Sequence, residues 1–250
     1  MQPLELKKDR DGLLYVDNRK LLVNDMLLDK RKLDLDQKYY THGYFRLTST
    51  IDYIIKYCYT ELTKKESNEY KEMLYNLVSK QSSIIRTDFP IGYFKDHRKV
   101  SGLIIKYYEG GISLDNILKE HDINLIDKYF LHDDDIIHNL FMLFYDIINN
   151  IRKMFDNNIY YLDINLSNFI LYNNAVKIID FEPRTVKFDN KDTRLINILR
   201  FYSSLVLKVL KEYNLYSSID QNILSFDEAK VMLKKLENKA REQNGVKRAF

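Results

Sequence analysis

Two apolar runs joined by an Asn-Asn turn, with oxygen-bearing side chains at both open ends, most constrain what this 250-residue chain can become. The stretch is Tyr160–Pro183, YYLDINLSNFILYNNAVKIIDFEP. Asp163 and Asn168 stand five residues apart, and the apolar run Phe169–Leu171 follows them. After the turn at Asn173-Asn174 comes a second run, Val176–Ile179, and then Asp180-Phe181. The pattern predicts a short hairpin that carries three metal-competent or proton-accepting side chains at its ends.

The sequence before this hairpin reads mainly as strands. Leu13–Val16 and Lys20–Val23 flank a turn at Asp17-Asn18-Arg19. Lys38–Leu47 alternates around Thr41-His42-Gly43, with His42 read as a turn residue, and Ile51–Tyr59 has the β-branched and aromatic content of a buried strand. A helix follows, with Thr63 or Ser67 as its cap and an apolar stripe at Tyr70, Met73, Leu74 and Leu77. Ile91–Phe94 and Leu103–Tyr108 read as two more strands, joined by the polar turn Lys95–Ser101.

Glu109-Gly110-Gly111 marks a change from strand-rich to helix-rich sequence. The expected division is therefore 1–108 and 109–250. Ser113 caps a short helix over Leu114–Glu120. Asp133–Asp135 open a long helix whose broad apolar face runs from Ile136 to Ile151, ending near Asn157-Asn158. Two more helices are expected near Lys191–Glu212 and Phe226–Arg241, with Gln243–Phe250 frayed. The fold class expected from this order is α+β, with a strand-rich N-lobe and a helical C-lobe.

Charge and cysteine content narrow the function classes. A net charge of +3 argues against a nucleic-acid coat, so no nucleic-acid partner is expected. Cys58 is the single cysteine, which leaves no internal disulfide and no cysteine metal cluster, and reads as a small hydrophobe at a strand end. Met1–Val16 lacks a signal-peptide core, and no run approaches the roughly 18 apolar residues of a membrane span. The expected compartment is the cytoplasm. The mixed-charge stretch Lys234–Arg248 reads as a solvated helix face and tail. A weak peripheral attraction to anionic membrane or lipid-linked glycan is the second reading. His132 and His138 are six residues apart, which is the wrong spacing for one helix face.

Taken in order, Lys56 on a strand, Glu69 on the next helix, Asp163…Asn168 and Asp180-Phe181 resemble the protein-kinase-like superfamily over about residues 35 to 215. The resemblance implies a two-lobed kinase-like fold, with ATP and Mg2+ as cofactors. It gives Asp163 the orientation of an acceptor hydroxyl and makes Asn168 and Asp180 metal ligands. It places Lys56 on the ATP phosphates, braced by a helix glutamate. Glu69 is the choice because Met73 and Leu77 continue its face, and Glu66 and Glu72 are alternatives. Lys106 is a weaker rival for the lysine. Tyr107-Tyr108-Glu109-Gly110 resembles the hinge, where the backbone around Tyr108 and Glu109 meets adenine, and Gly43 sits where a glycine-rich phosphate loop is usual.

The departures from that pattern are specific. Only Gly43 stands where three glycines are usual. Tyr161 replaces the histidine that commonly precedes the catalytic aspartate, Asn165 replaces the lysine that follows it, and Glu182 replaces the glycine after Asp-Phe. No Ala-Pro-Glu follows, and only about ten residues separate Asp180 from the next helix. These features resemble the compact atypical branch, the bacterial lipopolysaccharide-core sugar kinases and minimal Ser/Thr kinases. The implied activity is transfer of the γ-phosphoryl of ATP to a hydroxyl, first of a lipopolysaccharide-like glycan, alternatively of a protein Ser/Thr. A pseudokinase-type binding module is the reading from a different class.

Overall fold

The computed structural model describes residues 7–17, 42–46, 53–58, 62–81, 87–96, 99–119, 136–215, 219 and 222–248. The protein is a mixed α+β chain. It divides into two compact units. The first is Met1–Glu109 together with Phe181–Pro183; the second is Gly110–Asp180 with Arg184–Phe250.

Among the described residues of the first unit lie β1 (Lys7–Lys8), β2 (Leu14–Asp17), β3 (His42–Arg46), β4 (Tyr53–Cys58), α1 (Lys64–Val78), β5 (Gly92–Asp96) and β6 (Lys99–Lys106). The six strands form one sheet in the order β1-β2-β5-β6-β4-β3. Among the described strands only β2 and β5 run parallel, with Leu14 opposite Gly92. Glycine is required there, because a Cβ on Gly92 would stand 2.3 Å from the Leu14 carbonyl oxygen.

Helix α1 starts where its sequence says it should. Thr63 accepts from the Glu66 amide at 3.2 Å, and the Glu66 carboxylate accepts from the Thr63 amide at 2.7 Å, a reciprocal capping box. Its inward stripe is Ser67, Tyr70, Met73, Leu74 and Leu77. Ser67 Oγ accepts from the Val100 amide at 2.9 Å, which ties the helix to β6.

The second unit contains β7 (Ile112–Ser113), α2 (Leu114–Lys119), α3 (Ile136–Asp156), β8 (Tyr160–Tyr161), β9 (Phe169–Tyr172), β10 (Ala175–Ile178), β11 (Val186–Lys187), α4 (Lys191–Glu212) and α5 (Phe226–Arg248). β10, β9 and β7 form one small sheet, and β8 pairs with β11. The core lies along α3, where Phe141, Phe144, Ile147, Ile148 and Ile151 are all buried. The buried Tyr202 hydroxyl of α4 donates to the Phe144 carbonyl at 2.9 Å, and Phe226 of α5 packs against Phe155. Among the described residues, no helix is long and apolar enough to cross a membrane.

Several expectations change. β5 and β6 extend to Asp96 and from Lys99, so most of the expected turn Lys95–Ser101 is ladder, with a register shift at Phe94/Lys95. His42 is a strand residue opposite Cys58, not a turn residue, because backbone pairing with β4 overrides the local Thr-His-Gly signal. α5 continues to Arg248 instead of ending at Arg241. Lys20–Val23 and Asp133–Asp135 lie outside the described residues.

Candidate functional site

The two-residue turn sets the hairpin. Asn173 and Asn174 take φ values of 48° and 56°, the left-handed pair that lets a two-residue loop follow the twist of its strands. The register then runs Ala175↔Tyr172 to Ile178↔Phe169. One further bond, from the Ile179 amide to the Asn168 carbonyl at 2.9 Å, carries the ladder to the open end. Asn168 and the residue before Asp180 are thus paired, which brings these two ends of the motif together.

Helix α3 clamps the same hairpin. Asp146 Oδ2 accepts from the Val176 amide at 2.8 Å, and Asn150 Nδ2 donates to the Val176 carbonyl at 3.2 Å. Asp146 and Asn150 are one helical turn apart, so they reach both polar groups of a single residue. Neither stood out in the sequence, where they read as polar members of an apolar helix.

Ahead of the hairpin, Asp163 sits in a turn stitched by two asparagines. The Asn165 Nδ2 donates to Asp163 Oδ1 at 2.8 Å, while Asn165 Oδ1 accepts from the Ser167 amide at 3.1 Å and from the Ser167 hydroxyl. The buried Asn168 donates its Nδ2 to the Asp163 carbonyl at 3.1 Å. That bond assigns the other end of the amide, Oδ1, as the acceptor available for a ligand.

Asp180 adopts φ 66°, a left-handed conformation that costs a non-glycine residue about 1–3 kcal/mol. Side-chain hydroxyls bind the carbonyls on either side of that residue's φ bond. Thr185 Oγ1 donates to the Asp180 carbonyl at 3.4 Å, and the buried Tyr161 hydroxyl donates to the Ile179 carbonyl at 2.9 Å. Tyr161 is held in turn by β8–β11 pairing with Val186.

In the first unit, Lys56 Nζ lies 2.7 Å from Glu182 Oε1, with side chains 5% and 3% exposed. The expected partner, Glu69, is exposed and faces Lys65 at 3.8 Å. At about 100° per residue, Glu69 falls about 40° outside Met73, beyond the edge of the buried stripe centred on Tyr70. Glu66 is committed to the capping box, and Glu72 is exposed. Sharing a face with Met73 and Leu77 at i+4 and i+8 was too coarse a criterion, because the stripe drifts around the helix. The signal for Glu182 was its position in Asp-Phe-Glu, where it was legible as a departure but not as a partner.

Phe181, beside Glu182, is buried with its ring edge-on to Phe89 at 5.2 Å. Cys58, two residues along β4 from Lys56, accepts no charge readily. Burial pushes its thiol pKa up, the Tyr70 hydroxyl 3.8 Å away opposes this, and the Glu182 carboxylate adds to the rise.

The remaining candidates are placed as follows. Lys106 lies 3.6 Å from Asp88. The buried Tyr108 donates its hydroxyl to the same carboxylate at 2.9 Å, which fixes the end of β6. Glu109 is exposed and is the last residue of the first unit before the chain crosses at Gly110. Gly43 lies within β3, paired with Tyr57, so it is ladder and not loop; residues 47–52, which follow β3, lie outside the described residues.

Among the described residues, no three His, Cys, Asp or Glu side chains gather around one point. The donors on offer near the hairpin end are the Asn168 amide oxygen and the Asp180 carboxylate. Two oxygens suit a hard cation such as Mg2+, which keeps water and takes its other ligands from phosphate. Comparison of the chain with protein-family models and with curated proteins finds no match.

Proposed function

We propose that the protein is an ATP-dependent phosphotransferase of the protein-kinase-like kind, moving the γ-phosphoryl group to an acceptor hydroxyl. One observation carries this reading: a single hydrogen-bonded turn orients Asp163 through Asn165, fixes the Asn168 amide with its oxygen available, and ends one residue from Asp180 across the ladder. Asp163 Oδ1 is held by Asn165, which leaves Oδ2 to accept the proton of an attacking hydroxyl. Asn168 and Asp180 would hold magnesium, which supplies charge neutralisation on the phosphates when bound. Lys56, held by a buried carboxylate, would contribute positive charge to ATP phosphates.

The acceptor proposed is a sugar hydroxyl of a lipopolysaccharide-like glycan, with a protein Ser/Thr hydroxyl second. Its support is the short span after Asp180. Residues 181–190 contain only the two-residue β11, folded back on β8, before α4 begins. That leaves little chain for a peptide-binding platform. The strand placement of Gly43 favours one other reading, a catalytically dead, pseudokinase-type binding module.

Thermal unfolding with and without Mg-ATP separates these. A ligand present at about 100 times its Kd stabilises by about 2.7 kcal/mol. The wild type is expected to shift, Asp180→Asn to lose the magnesium-dependent part, and Asp163→Ala to keep the shift while losing phosphoryl transfer. An Asp180→Asn shift equal to that of the wild type would sink the metal assignment. Absence of any wild-type shift favours the binding module.

A further inference from the structure

The lysine of β4 is braced from an unusual direction. Lys56 and Glu182 meet at 2.7 Å, both buried, within the first unit. Helix α1, which supplies three glutamates in its first three turns, presents none of them to the sheet. Glu66 closes the capping box, Glu69 faces Lys65, and Glu72 is exposed. The helix turns Ser67 and Tyr70 inward instead, Ser67 onto the Val100 amide and Tyr70 onto Cys58. The acid near this end of β4 therefore comes from elsewhere. The Cys58 thiol senses the same carboxylate, since Glu182 contributes to its raised pKa.

Glu182 is fixed by what surrounds it. Phe181 is anchored on Phe89, and Pro183 follows, so the chain enters the first unit for three residues only. Asp180 precedes this segment directly with φ 66°, and its carbonyl accepts from Thr185 Oγ1 within the second unit.

We propose that Glu182 is the positioning residue for Lys56 at the nucleotide phosphates, so that the segment Phe181–Pro183, and not helix α1, sets the alignment of the lysine. This rests on the phosphotransferase reading. A rotation of α1 then leaves Lys56 in place, because its partner is not on that helix. Anything that displaces Phe181–Pro183 displaces the lysine's partner.

The test compares the full-length wild type with Glu182→Gln, Glu182→Asp and the double variant Glu69→Gln/Glu72→Gln. ATP KM, kcat and the Mg-ATP thermal shift are measured for each. Labelling of Lys56 by 5′-fluorosulfonylbenzoyl adenosine, read by mass spectrometry with and without ATP, adds a readout that a structural role alone would not move. Loss of a hydrogen bond to a charged group predicts an ATP KM raised on the order of tenfold or more in Glu182→Gln, with weaker Lys56 labelling. Glu182→Asp, which keeps the charge, is expected to recover part of the effect, and it decides the matter if Glu182→Gln does not fold. The helix double variant is expected to match the wild type. If the wild type binds and transfers but the Glu182 variants keep wild-type KM, the inference fails while the phosphotransferase reading stands. Tighter ATP binding in Glu182→Gln would show that Glu182 holds the lysine away, and would also overturn it. A wild type that neither shifts nor transfers removes both.

Discussion

Lys56 and Glu182 form a pair whose removal one side at a time differs sharply from its removal as a whole. Each is almost fully buried, so truncating one strands the other's charge away from water. Lys56→Met is expected to destabilise by about 3–5 kcal/mol, whereas Lys56→Met/Glu182→Leu should recover most of that loss. Urea unfolding of Lys56→Met, Glu182→Leu and the double variant closes the cycle. At this scale the sequence was half legible. Lys56 was identifiable from its place in an apolar strand, but its partner lies 126 positions away, and no local spacing reports such a contact. Glu69 followed from helical periodicity, a rule that places a residue on a face to within a turn but not to within the 40° or so that separates a stripe from its edge.

At the scale of elements, local chemistry settles some boundaries and packing settles others. α4 runs from Lys191 to Glu212 as expected, because Asn190 supplies a side-chain acceptor for the Thr193 amide and the apolar periodicity is long. α5 runs beyond its expected end. Its charged second half looked like a solvated tail, yet Glu237 is buried there and is met by His138 at 3.1 Å and Arg241 at 3.2 Å. The parallel β2–β5 pair depends on a missing side chain. Gly92→Ala would drive a Cβ into the Leu14 carbonyl, and a loss of about 1–3 kcal/mol is expected by chemical denaturation. The cap of α1 carries a pH signature. The Glu66 carboxyl is held below its ordinary value, first by the Thr63 hydroxyl and then by the Thr63 amide. A depressed folded pKa contributes stability above the unfolded value, and that contribution disappears as the pH falls through the folded value. Thr63→Ala should therefore flatten the acid side of the stability profile and lower stability at neutral pH, both seen in thermal melts from pH 3 to 7.

For the molecule as a whole, one thiol reports on the folded state. Cys58 is the single cysteine, so reductant should leave the melting temperature unchanged. Burial disfavours its thiolate, and a disulfide reagent should react roughly tenfold or more slowly with native protein than with unfolded chain. Rapid native labelling would show that β4 is open at Cys58. The division into two units is a property of contacts across the sequence. The break after Glu109 sits beside a Gly-Gly pair that any reading notices, whereas the return of Phe181–Pro183 to the first unit follows only from what those residues pack against.

The sequence by itself determined the α+β alternation, the capped helices, the Asn-Asn hairpin and the spacing of Asp163, Asn168 and Asp180. Each of these rests on periodicity, turn chemistry or capping, which act over a few residues. Only the tertiary structure decided that Glu182 meets Lys56, that Asp146 and Asn150 clamp Val176, and that Gly43 is strand. Those outcomes depend on which distant side chains share a buried space, where an unpaired polar group is costly and a partner is chosen by proximity in three dimensions.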